Sequence, residues 1–150
     1  MNLHENSNEV TIILAEDDPG HAKLTEKNLR RAGINNEIQW CENGQLTLDY
    51  IQGKGAFSGH SHTKSVILLL DLNMPVLDGY QVLEALKSDE STKRIPIVIL
   101  TTTDEPREVK RCYDLGCNIY INKPVDYEGF SNAIRQLGLF LNVVQVPNGK

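Results

Sequence analysis

Five side chains could do chemistry together. Glu16 and Asp17, Asp71, Thr101 and Lys123 each stand at the end of a short apolar run: VTIILA, VILLL, PIVIL and NIYIN. Three carboxylates at one place repel. At about 4 Å and an effective dielectric near 20, each pair costs roughly 4 kcal/mol. Such a cluster calls for a cation, and an all-oxygen donor set points to magnesium. The Lys123 ammonium can neutralise a carboxylate or a phosphate, and the Thr101 hydroxyl can hydrogen-bond a phosphate oxygen. The simplest chemistry that uses all five is metal-assisted phosphoryl transfer onto a carboxylate, with Asp71 as the nucleophile. Taken singly, each residue has a plainer reading: a solvated turn carboxylate, a strand-end hydroxyl, a surface lysine. The set carries the inference.

The elements that position these residues follow from the runs themselves. Val66-Ile67-Leu68-Leu69-Leu70 shows no alternation, which predicts a strand buried on both faces of a parallel sheet. Strands are predicted at Val10–Ala15, Glu37–Cys41, Pro96–Leu100 and Asn118–Asn122 as well. Helices alternate with them: from Pro19 to a cap at Gly33, Gln45–Ile51, Gly79–Lys87, Pro106–Leu115, and from about Tyr127 into the tail. Strict alternation implies an α/β domain, a doubly wound five-stranded parallel sheet with helices on both faces, flavodoxin-like and CheY-like. Ligands of such sheets bind outside the carboxyl ends of the strands, where the five residues lie. Asp18 suits a helix N-terminus. The segment from Gly53 to Ser65 is the longest loop; His60 and His62 within it have no recognisable third ligand.

ILAEDD, LLLDLNMPVLDG, PIVILTT and IYINKP, in this order and spacing, resemble the receiver domain of two-component response regulators. The resemblance implies that Asp71 accepts a phosphoryl group from a histidine kinase. It implies that Mg2+ is held by Asp17 directly, by Glu16 partly through water, by Asp71, and by the backbone carbonyl of Asn73. Thr101 resembles the switch hydroxyl, Lys123 the phosphate-pairing lysine and Tyr120 the aromatic rotamer switch. Pro75, Asp78 and Gly79 match the turn after the acceptor strand, and Pro124 the position of an expected cis peptide. Thr102 stands where small residues are frequent, and a tighter switch pocket is expected. The loop ahead of the acceptor strand, the KRIPIVILTT segment and the VVQVP tail are similar to single-domain regulators that partner bacterial phytochromes.

Composition narrows the remaining classes. With 150 residues, a net charge of −5 and no basic cluster, neither nucleic acid nor an anionic membrane is an expected partner. Three cysteines without CxxC spacing fit a reduced, cytoplasmic setting, as small buried side chains. The expected layout is a flexible N-terminal arm over 1–9, the receiver over 10–137, and an apolar extension over 138–150 with no output domain. Output must then be a contact with a downstream protein target or transfer to a phosphotransferase. The chain is not expected to act as an enzyme on an external metabolite. A haloacid-dehalogenase-type phosphohydrolase also uses a strand-tip aspartate with magnesium. It usually places a second aspartate two residues on, where this chain has Asn73, and it needs room for a cap domain. A flavodoxin-like nucleotide binder would need a phosphate-cradling glycine loop after the first strand, where Glu16-Asp17-Asp18-Pro19 would repel an anion. Phe130, Ile134, Leu137, Leu141 and Val144 share one helical face, while Leu139, Phe140, Val143 and Val146 form a second apolar strip. Two strips exceed what a monomer needs to bury, and a homodimer through the last helix and Val143–Pro147 is expected.

Overall fold

The apolar runs become strands of one parallel sheet in the computed structural model, which describes residues 10–58, 66–103, 105–122 and 132. The strands are β1 (Thr11–Ala15), β2 (Ile38–Cys41), β3 (Val66–Leu70), β4 (Ile97–Thr101) and β5 (Ile119–Asn122). Between them run α1 (Pro19–Arg31), α2 (Gly44–Gln52), α3 (Gly79–Lys87) and α4 (Pro106–Leu115), with a short 3₁₀ turn at Gly55–Phe57 inside the expected loop. The strand order is β2-β1-β3-β4-β5, every pair parallel. The order reverses between β1 and β3, and that reversal opens the crevice in which such sheets bind ligands.

Burial on both faces explains the unalternating runs. Ile13 and Ala15, Val66, Leu68 and Leu70, and Ile97 and Ile99 pack with α2, α3 and α4 residues such as Ile51, Leu83 and Cys112. Their neighbours Ile12, Leu14, Ile67, Leu69 and Val98 point the other way, toward Ala22 and Leu29 of α1. Each of the buried Val, Leu and Ile side chains contributes about 1.5–3 kcal/mol, which anchors the centre of the sheet.

The starts of α1, α2 and α3 are fixed by side-chain oxygens. Asp18 caps α1, accepting from the Gly20 and His21 amides at 2.8 and 3.1 Å, and Pro19 follows in the first turn. Asn43 caps α2, accepting from Leu46 N–H at 2.8 Å, which starts that helix one residue before the expected Gln45. Asp78 and Gln81 form a reciprocal capping box on α3, each bond 2.9 Å. Helix α4 ends where expected, on Gly116 at φ +109°, a left-handed conformation that a side chain would disfavour. The cap of α1 is Ala32, with the left-handed Gly33 one residue beyond it. The expected arm, the histidine-bearing part of the loop, Lys123, Pro124, the last helix apart from residue 132, and the apolar tail lie outside the described residues.

Candidate functional site

Adjacent strands bring the carboxylates together. Ala15 of β1 stands beside Leu70 of β3, and the Asp71 amide continues the ladder by donating to the Ala15 carbonyl at 3.0 Å. Glu16-Asp17 and Asp71 thus leave neighbouring strands at the point where the strand order reverses. Glu16, Asp17 and Asp71 each offer an oxygen, and these oxygens all lie within 4.8 Å of one another. Glu16 and Asp71 are buried, at 2% and 8% exposure, while Asp17 is exposed at the mouth. Buried carboxylates side by side are costly without a counter-charge. The donor set is oxygen-only and the span suits a hard divalent cation, whose ligand oxygens sit about 2.0–2.6 Å away. The residues fit such an ion.

The loop after Asp71 folds back under it. The Asn73 amide donates to Asp71 Oδ1 at 3.1 Å, holding the Asp71 side chain in place. Leu77 N–H bonds the Pro75 carbonyl at 2.9 Å around Val76, which sits exposed at φ +72°. A three-residue turn with positive φ is strained, and for a β-branched residue unusually so. The loop closes where Gly79 begins α3: a Cβ on Gly79 would stand 2.5 Å from the Asp71 carbonyl oxygen and 2.6 Å from Leu72 Cα. Only hydrogen fits there.

Thr101 ends β4, two residues past Ile99, the partner of Leu70. It is fully buried, and its hydroxyl has no hydrogen-bond partner among the described residues. A hydroxyl in that state is ready for an acceptor that arrives later. Tyr120 of β5 is half-buried; its hydroxyl donates to the Thr103 backbone carbonyl, and its amide donates to the Tyr113 hydroxyl at 3.1 Å. Thr102, between them, is exposed. Lys123 follows β5 in the chain and lies outside the described residues, so of the five residues singled out above, the structure places four.

Two side chains that sequence reasoning did not single out reach Glu16. His21, in the first turn of α1, sets Nδ1 3.6 Å from Glu16 Oε1. Trp40, on β2, donates its indole N–H to the Glu16 carbonyl at 2.6 Å. Neither carries a motif. His21 was legible only as a residue just inside a helix start, and Trp40 only as an aromatic in the second predicted strand. The cysteines are free and buried, as expected. Burial pushes the Cys41 and Cys117 thiols up to about 12 and Cys112 to about 11, so none is a thiolate near neutral pH.

Known proteins share this arrangement of elements. A solved response regulator receiver domain from Rhodospirillum rubrum is 54% identical, covering 93% of this chain and 98% of that one, with a TM-score of 0.84. The phosphorylated cyanobacterial phytochrome response regulator RcpA is 28% identical, covering 93% and 99%, also with a TM-score of 0.84. Response regulator Rcp1 of Synechocystis is 29% identical over 91% of this chain and 92% of its own. The Mn(2+)-bound form of Rcp1 has a TM-score of 0.83, covering 92% and 99%. The similarity to phytochrome response regulators expected from the sequence is therefore found. The profile of the response regulator receiver domain matches residues 12–135, and the chain, with its flavodoxin-like sheet and strand-tip carboxylates, belongs to that family.

Proposed function

We propose that this receiver takes a phosphoryl group from a sensor histidine kinase onto Asp71 and signals by the change that follows. The observation that carries the reading is the meeting of Glu16, Asp17 and Asp71 within 4.8 Å at the strand tips. An Asp71 oxygen attacks phosphorus, the bond to the kinase histidine breaks, and an acyl phosphate forms on Asp71. Glu16, Asp17, Asp71 and the Asn73 carbonyl hold Mg2+, which when bound offsets the charge of carboxylates and phosphate. The Lys123 ammonium pairs with a phosphate oxygen. The Thr101 hydroxyl turns toward another and satisfies the hydrogen bond it lacks among the described residues. Tyr120 then turns into the space vacated. A new bond that exists only in the phosphorylated state is the differential interaction a switch requires.

The chain catalyses its own phosphorylation and dephosphorylation and works on no external metabolite. Its kinase is of the phytochrome type, a reading supported by the resemblance to RcpA and Rcp1. It acts in the cytoplasm, as a homodimer joined through the last helix and residues 143–147, and passes its signal to a protein target or phosphotransferase.

Labelling with a small phosphodonor in Mg2+ tests the site. Wild type should take up one acid-stable phosphoryl group, and Asp71→Asn none, with circular dichroism unchanged. Chelation of Mg2+ should stop labelling of the wild type. Label retained on Asp71→Asn would overturn the acceptor assignment, and equal rates with and without chelator would overturn the metal's role. Sustained turnover of a chromogenic phosphate ester would point instead to a phosphohydrolase.

A further inference from the structure

We propose that Trp40 is a positioning residue for the cation site, holding the Glu16–Asp17 peptide in the orientation that the acidic trio requires. The inference rests on the reading of Glu16, Asp17 and Asp71 as cation ligands. Trp40 lies on β2 beside Leu14, one residue before the ladder between β1 and β2 ends at Ala15 and Cys41. The Glu16 amide extends that ladder, donating to the Cys41 carbonyl at 3.1 Å. Beyond it the chain turns away toward α1. There the Glu16 carbonyl accepts from a side chain, the Trp40 indole N–H, at 2.6 Å.

That carbonyl belongs to the same planar peptide as the Asp17 amide. Fixing the plane fixes the direction in which the Asp17 Cα leaves the strand. Asp17 needs this most of the three. Glu16 and Asp71 are held by burial, whereas Asp17 is exposed. On its other side the chain is already tied, because Asp18 accepts from the Gly20 and His21 amides. Asp17 is therefore a single residue strung between two anchored points, and Trp40 supplies the first.

The identity of the residue fits the role. An aliphatic side chain could pack on this edge strand but could not donate. Indole offers one donor and a large apolar body, and it tolerates partial exposure, here 40%. A packing role alone would leave the N–H without consequence for the cation. The two roles separate in experiment.

Trp40 is the chain's one tryptophan, so its indole N–H gives a single resonance in a proton–nitrogen correlation spectrum. Titration of unphosphorylated wild type with MgCl2, and separately MnCl2 followed by calorimetry, gives the cation affinity. In the Mg2+ titration the indole resonance should shift in step with occupancy. Trp40→Phe keeps the apolar ring and removes the donor. It should bind both cations about three- to tenfold more weakly, the effect of one hydrogen bond, with the melting temperature of the cation-free protein little changed. Equal affinities in the two proteins would overturn the inference, as would a lower melting temperature with affinity unchanged. If Trp40→Phe does not fold, the wild-type resonance decides alone: one that stays still at saturating Mg2+ overturns the proposal. Absence of any cation binding by wild type would remove the underlying reading and the inference with it, an outcome distinct from a variant that binds as well as wild type.

Discussion

A carboxylate at 8% exposure beside two others is unfavourable until positive charge arrives. The cation-free protein therefore holds repulsion that substitution can release. Asp17→Ala should raise the melting temperature in chelator by roughly 2–4 °C, while abolishing the stabilisation that added Mg2+ should give wild type. Scanning calorimetry with and without Mg2+ measures both; a clear loss of stability in chelator would contradict the repulsion. Gly79→Ala should act in the opposite sense. Its Cβ would meet the Asp71 carbonyl at 2.5 Å, so the end of β3 or α3 must shift. A cost of roughly 1–3 kcal/mol is expected in urea unfolding, together with slower phosphorylation. The acidic residues, Thr101 and the turn glycine were legible in the sequence because they punctuate apolar runs. The approach of Gly79 to Asp71, and of His21 and Trp40 to Glu16, was not legible. Those distances depend on strand order and on the angle at which a helix leaves the sheet, and no local pattern encodes either.

At the scale of elements, helix limits were read most closely where capping chemistry marks them. Helix α3 spans Gly79–Lys87 and α4 Pro106–Leu115, both as expected, because Asp78, Pro106 and Gly116 act locally. Asp78→Ala removes one half of the capping box and should cost about 0.5–2 kcal/mol, read by urea unfolding; an unchanged midpoint would show that the box is idle. The contacts between elements were invisible beforehand. Arg111 of α4 lies 3.9 Å over the Tyr80 ring of α3, joining two helices that the sequence presents only in series. Lys87, at the end of α3, donates to the Lys93 and Ile95 carbonyls, both at 2.9 Å, and burial lowers its pKa. It serves the turn into β4 rather than solvent.

For the molecule as a whole, the buried thiols set an alkaline limit. Their folded values, about 11 to 12, lie above the ordinary 9.0. The unfolded chain therefore loses those protons first. Stability from this source is complete below pH 9 and falls as the pH rises toward 12, by at most about 1.4 kcal/mol per pH unit for each thiol. Lys87 has the opposite sign, since its folded value lies below 10.5: between the two values the unfolded chain holds the extra proton, and stability rises with pH. The thiols outnumber it, and urea unfolding at pH 8 and pH 10 should show a net decline. Cys117→Ala should flatten that decline, and an identical slope would exclude the thiol as its source. Truncation after Gly138 should leave a folded monomer, still labelled on Asp71, whereas the intact chain should sediment as a dimer. A monomeric intact chain at micromolar concentration would exclude that dimer.

The sheet order has a consequence for synthesis. Asp71 follows β3, while β4, which bears Thr101, is made later yet lies directly beside it. A growing chain emerges N-terminus first, so Asp71 is delivered well before the wall that completes its surroundings. A kinase that meets an unfinished chain finds an aspartate but no receiver. On the proposed reading, competence to receive the signal arrives only once β4 has been made, and a nascent chain stalled before Thr101 should take up no phosphoryl group.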